Sequence, residues 1–409
     1  MKNIKYLLFA SVAIMASCSG SDDDTPSDDT FDTIETPASY VFTNDAGEST
    51  VSFTGQTARI AMAEELFDAL GDVSGTVKTV DELINMLAHE AGNDDFTDTS
   101  LNPLSNQIWS KLAESVDYFK DETGALTADS DVVRTYIEDV ITEQANDVLT
   151  SFSNAASEGV AGQLVSTSRT VYVNGDGVEL DQVFAKSLIG ALMTDQIIND
   201  YLTLSQTADN ETIDTEAGET YTTMEHYWDE AYGYLYGAEA DTENPVLGAD
   251  SFLNKYLNSV DGDDDFTGIA EDILNAFKLG RAAIVAEEYD IRDEQIEIIR
   301  EKISQVIGVR AVYYLAAGQE ALNADEVDFP SAFHSISEGL GFVYSLQFTR
   351  KANVDTPTPY FTGTEVQGFL DQILDVEGGL WNENTATTLG ELAEEIAAEF
   401  TFTVEEAAN

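Results

Sequence analysis

Apolar residues recur at three- and four-residue intervals over most of the chain, which predicts an all-α architecture. Thr79 followed by Glu82 forms a capping-box pattern, and Val80, Leu83, Ile84 and Leu87 supply the stripe of the helix it opens. Helical periodicity then covers about 103–120, 130–157, 180–205, 220–237, 249–259 and 266–289. It continues over about 293–319, 330–351, 363–376 and 387–399. Within 130–157, Val133, Ile137, Val140, Ile141 and Val148 share one face. The seven prolines fall outside these spans or near their starts, as helices require. Two stretches follow the period of a strand instead. YVF and VSF flank the turn-forming NDAG between Ser39 and Phe53, and NGDG separates Val171–Val173 from Val178–Leu180. Each predicts a small β-hairpin. The polar, aperiodic run SQTADNETIDTEAGET marks a boundary near 206–220. The expected organisation is a first helical bundle with the hairpins, 39–210, and a second, related bundle, 211–409.

Composition adds two constraints. A hydrophobic fraction of 43% is ample for a large core. The charge is extreme: 77 Asp and Glu against 18 Lys and Arg give a formal net charge of −59. Such a chain repels phosphate backbones, which argues against nucleic acid and favours cations and basic surfaces as partners. Acidity of this kind also keeps a protein soluble in salty surroundings and does not by itself define a metal site.

The N-terminus reads as an export signal. Lys2 and Lys5 precede the apolar run Tyr6–Met15, which is too short to span a bilayer, and small residues follow. MASC resembles a lipobox, which implies a signal peptide over 1–17 and lipidation of Cys18. No second cysteine exists for a disulfide. SGSDDD resembles the surface-display tag of lipoproteins from the Bacteroides–Flavobacterium lineage, and 18–38 reads as a disordered acidic tether. No later run is apolar enough to cross a membrane, so lipid alone would hold the protein there. The expected location is the outer membrane, on the cell surface or the periplasmic face.

Two of the three histidines share a frame. His226, Glu230, Gly233 and Gly237 repeat as His334, Glu338, Gly341 and Ser345, at offsets of four, seven and eleven. These offsets lie along one helix face, so each helix presents an imidazole and a carboxylate one turn apart, then a smooth strip for a neighbour. The frame suggests two related halves whose signature helices face each other. Imidazole and carboxylate suit iron, zinc or a similar divalent or ferric cation. Surface His–Glu pairing, worth a few tenths of a kcal/mol, is the plainer reading. His89 closes a helix, a structural position. Arg281 and Arg310 fall on otherwise apolar stripes and need partners, for which Glu230 and Glu338 are candidates.

HYWDEAYGYLYG looks like the signature helix of imelysin-like proteins, whose motif is Gly-x-His-x-x-Glu with an aromatic tail. His226 matches the histidine and Asp229 takes the acidic position, but Met224 replaces the glycine; Ala332 and Ser337 depart further in the second helix. With FTGQTARIAM and AFKLGRAAIVA, the chain is also similar to a family of Bacteroides-type lipoproteins of about this length, a likeness that implies no activity. The imelysin resemblance implies an exported protein of two helical bundles. That family was first described as peptidases and is now linked mostly to iron uptake.

DGDDDF (261–266) mimics the start of a calcium loop, but Phe266 stands where glycine is needed. The aromatic cluster around Tyr221, Tyr227, Trp228, Tyr232, Tyr234 and Tyr236 reads as core packing before it reads as a sugar platform. No nucleophile–base pair, phosphate loop or dinucleotide fingerprint is present. The resulting expectation is a non-enzymatic lipoprotein that binds a cation or iron-bearing ligand, with an outer-membrane transporter as partner. Its site would use His226, Glu230, His334 and Glu338, lined by Tyr227, Trp228, Asp229, Arg281 and Arg310. The alternatives are a metallopeptidase of the imelysin type and a carbohydrate- or protein-binding surface module.

Overall fold

The computed structural model describes residues 34–408, which belong to one compact unit. The expected signal peptide, Cys18 and most of the tether lie outside the described residues. The chain is mainly α-helical, and its buried apolar residues form one continuous cluster from Tyr40 to Ala407.

Helix α1 (Thr54–Gly71) is followed by α2 (Val80–Leu87), which opens with the reciprocal Thr79–Glu82 capping box its sequence predicts. Helix α3 (Ala128–Glu143) passes through a π turn at Gln144–Val148 into the short α4 (Leu149–Ser151). A two-stranded antiparallel hairpin comes next, β1 (Gly162–Val165) with β2 (Thr170–Val173). Helix α5 (Leu180–Leu188), a π-helical stretch Ile189–Tyr201 and α6 (Leu202–Ser205) then form one unbroken rod. Nearly every residue of this rod is buried, so it is the axis on which the rest packs. Helices α7 (Thr223–Tyr236), α8 (Leu253–Asp261), α9 (Ile269–Val285) and the long α10 (Tyr289–Leu322) follow. Then come α11 (Phe329–Ser345), α12 (Gly363–Leu374), α13 (Thr385–Phe400) and α14 (Val404–Ala407). Helix α10 packs against α9, α11 and α13, and α11 also packs on α5.

Three expected elements differ. Residues 103–120 are not a helix: only Trp109–Lys111 make a single 3₁₀ turn. The backbone N–H groups of this segment go elsewhere, from Ala113 to the Ala191 carbonyl, from Asp117 to the Asn199 carbonyl, and from Glu114, Ser115 and Val116 to the carboxylates of Asp195 and Asp200. NGDG turns as expected, but β2 pairs with β1 upstream, while Val178 leads straight into α5. The first hairpin shrinks to a turn with one bridge, Thr43 to Ser49. The first two changes share a cause, since the buried rod offers acceptors and packing surface that local periodicity does not reveal. The segment of the first hairpin bonds instead to Asp229, His226 and Arg281 on α7 and α9.

Candidate functional site

The two histidine helices stand on different parts of the rod rather than on each other, α7 against its π-helical stretch and α11 against α5. Their smooth strips serve as the sequence suggests, but with other partners. A Cβ at Gly233 would lie 2.4 Å from the Cβ of Phe53, next to α1, and one at Gly341 would lie 2.5 Å from the Cβ of Lys186. Glycine is required at both close approaches.

At the α7 end, His226 Nδ1 lies 3.1 Å from the Ser52 carbonyl, and Tyr221 stacks on the imidazole. Its Nε2 is 3.8 Å from Glu230, whose other oxygen accepts from Gln56 at 2.8 Å. Beneath them lies a closed ion network. Arg281, fully buried, donates to Asp229 at 3.1 Å and to Glu225 at 2.7 Å. The Tyr40 hydroxyl and the Ser52 N–H also donate to Asp229. Burial pushes the Asp229 carboxyl up, and Arg281 pulls it back. Trp228 is fully buried and donates to the Phe277 carbonyl, while Tyr227 is half-buried beside Tyr201. Arg281 therefore pairs with Glu225 and Asp229 rather than with Glu230, because the 3.6-residue period turns these two inward and leaves Glu230 at the rim.

The α11 end has the opposite electrostatic character. His334 Nδ1 lies 2.7 Å from Glu179, and its Nε2 is 3.5 Å from Glu338. Lys186, almost fully buried, contacts Glu338 at 3.0 Å, and the Tyr256 hydroxyl donates to the same carboxylate at 2.8 Å. Burial alone would raise the Glu338 carboxyl, but Lys186, His334 and Tyr256 bring it down to about 2. Three cations surround the Tyr256 ring, at 5.6 Å for Lys186, 5.2 Å for Lys255 and 5.5 Å for Arg310. Arg310 also lies 4.0 Å from the ring of Tyr313 and 4.5 Å from that of Tyr314. Arg281, Arg292, Arg300 and Arg350 are buried arginines with carboxylate partners. Arg310 is buried too, has no ion pair among the described residues, and its Nε makes no hydrogen bond. A guanidinium left without an anion in a chain with a fourfold excess of acids is chemically unsaturated.

The structure thus keeps His226/Glu230 and His334/Glu338 as two pairs, and no group of three or more His, Cys, Asp or Glu side chains is placed to hold a metal ion among the described residues. Sequence reasoning missed Lys186, Lys255, Tyr256 and Tyr314. Lys186 carried a signal, a lone cation within the apolar run VFAKSLIGAL. His89 is structural as expected, buried between Asp95 and the Asn102 carbonyl. In the calcium-like stretch, Asp261 accepts the N–H groups of Gly268 and Ala270, opening α9.

The family model described as Domain of unknown function (DUF4856) matches residues 37–403. No curated protein and no solved structure matches the chain.

Proposed function

The chain belongs to the family of the domain of unknown function DUF4856, and we propose that it is an exported, lipid-anchored binding protein for an anionic, iron-bearing ligand. The anchor is Cys18 and the site is the α11 end of the rod. The resemblance to imelysin-like proteins supplies the iron, and an outer-membrane transporter would receive the ligand for uptake. One observation carries the choice of charge: Arg310 has no anion of its own and shares the Tyr256 ring with Lys186 and Lys255. Glu338 is clamped by Lys186 and Tyr256, which makes it a poor ligand for a bare cation. A ferric ion wrapped in carboxylates fits better: its chelating oxygens meet the guanidinium, and His334 can approach the metal.

Calorimetric titration of the mature protein with ferric citrate, citrate alone and a ferric salt tests this reading. Ferric citrate is expected to bind, and Arg310→Met to weaken it at least tenfold with the melting temperature held within a few degrees. Equal binding by both proteins, or no heat with any of the three, overturns it.

A further inference from the structure

A cavity of different chemistry lies at the far end of α11, where Tyr344 stands in the last turn. It is a groove of about 700 Å³ between α3 and the start of α12, with Tyr344 and Gln347 at its base. That volume is within the range of small-ligand sites. Three tyrosines line it. Tyr136 and Tyr344 stack in parallel at 3.9 Å, and the Tyr118 hydroxyl is tied to the Thr349 carbonyl, which fixes that ring in place. The polar groups of the groove include both acceptors and donors. Gln347 donates one amide N–H to the Tyr344 carbonyl, which leaves its second N–H and its oxygen. Gln367 donates one N–H to Asp371 at 2.7 Å, which leaves its second N–H, its oxygen and the second Asp371 oxygen. Asp129 adds an exposed carboxylate on the opposite wall. No lysine or arginine lines the groove.

A matching ligand must bring an apolar face for the tyrosine rings and groups that both donate and accept, and the Asp129 and Asp371 carboxylates require that it carry no negative charge. A pyranose ring meets all three conditions, since its C–H face is apolar and its rim is a circle of hydroxyls. We propose that this groove binds a neutral oligosaccharide. Planar amide and carboxylate groups beside the tyrosine rings form the recognition surface. The site is independent of the Arg310 cluster, so one can fail without the other.

The natural probe for the groove is Gly368, at mid-helix in α12. A Cβ there would meet nothing within 4 Å, so a side chain at this position projects into open space. Gly368→Phe therefore fills the groove without crowding the core, and replacing a helical glycine favours the helix. Affinity electrophoresis of the mature protein is run in gels containing a soluble β-glucan, a mannan, a galactan, starch or, as an anionic control, polygalacturonate. A polyamine titration runs alongside.

At least one neutral polysaccharide is expected to retard the wild-type protein and polygalacturonate to leave it unaffected. Gly368→Phe should lose the retardation by at least tenfold at an unchanged or higher melting temperature, and Arg310→Met should keep it. No retardation by any neutral polysaccharide, equal retardation of Gly368→Phe, or binding of the polyamine alone overturns the proposal.

Discussion

Arg281 and Arg310 sit on successive long helices and illustrate how differently one residue type can be used. Arg281 is surrounded by Glu225, Asp229 and the Thr50 hydroxyl, so its burial is fully compensated. Removing it would leave Asp229 charged or protonated in a dry site. Arg281→Met is expected to destabilise the protein by about 3–5 kcal/mol in urea unfolding, the usual cost of breaking a buried pair from one side. A loss under about 1 kcal/mol would mean that the network contributes little. The sequence placed both arginines on apolar faces correctly, and nominated Glu230 and Glu338 as partners. Periodicity reports the face of a helix and not the reach of each side chain, so the actual partners of Arg281, Glu225 and Asp229 on α7 beside the nominated Glu230, were not legible. Lys186 escaped notice for a related reason, because its Glu338 partner lies on another helix, distant in sequence.

Among elements, the rod from Leu180 to Ser205 explains most of the differences between pattern and fold. Its π-helical stretch buries Asp195 and Asp200, and these carboxylates collect the N–H groups that would otherwise have made 103–120 a helix. Apolar spacing in that segment is real: Ile108 and Leu112 are fully buried. The long-range acceptors decide the backbone. Burial pushes the Asp195 carboxyl from an ordinary 3.8 up to about 7, and Asp200 up to about 6. Between about pH 4 and pH 7 the unfolded chain has released these protons while the folded chain retains them. Stability from this source therefore falls as pH rises through that window and is fully lost above about 7. The melting temperature is expected to drop between pH 4.5 and pH 7.5, and Asp195→Asn to reduce the drop, since an amide keeps an acceptor for the Glu114 and Ser115 N–H groups. An identical drop in the variant would remove Asp195 as the cause. The capping box expected at Thr79 is realised, and Thr222, Thr362 and Thr403 form three more; α1 (Thr54–Gly71) and the short α14 were not expected from the pattern. The hairpin error came from pairing β2 with the nearer apolar run, when the rod had already claimed Val178 and Leu180 for its start.

Residues 34–408 fold around one continuous apolar core, and the chain that carries it is strongly acidic. With a formal net charge of −59, self-repulsion opposes the compact state, and screening relieves it. Raising sodium chloride from 20 mM to 500 mM is expected to raise the melting temperature at neutral pH by several degrees in differential scanning calorimetry. A flat or falling response would show that the charges are already neutralised. Helix α10 bears on the same scale: it contacts α9, α11 and α13 together, so the C-terminal helices unfold with their neighbours rather than one at a time.

The cationic nest around Tyr256 has a kinetic consequence as well. An anionic ligand approaching it must first cross the repulsive field of everything else on the surface. Under the proposed function, the nest would hold such a ligand only after that barrier is passed. Added salt would then act in opposite directions on the two halves of the encounter, quickening arrival while loosening the hold. The usual rule for charged partners, in which salt slows capture, would be inverted here.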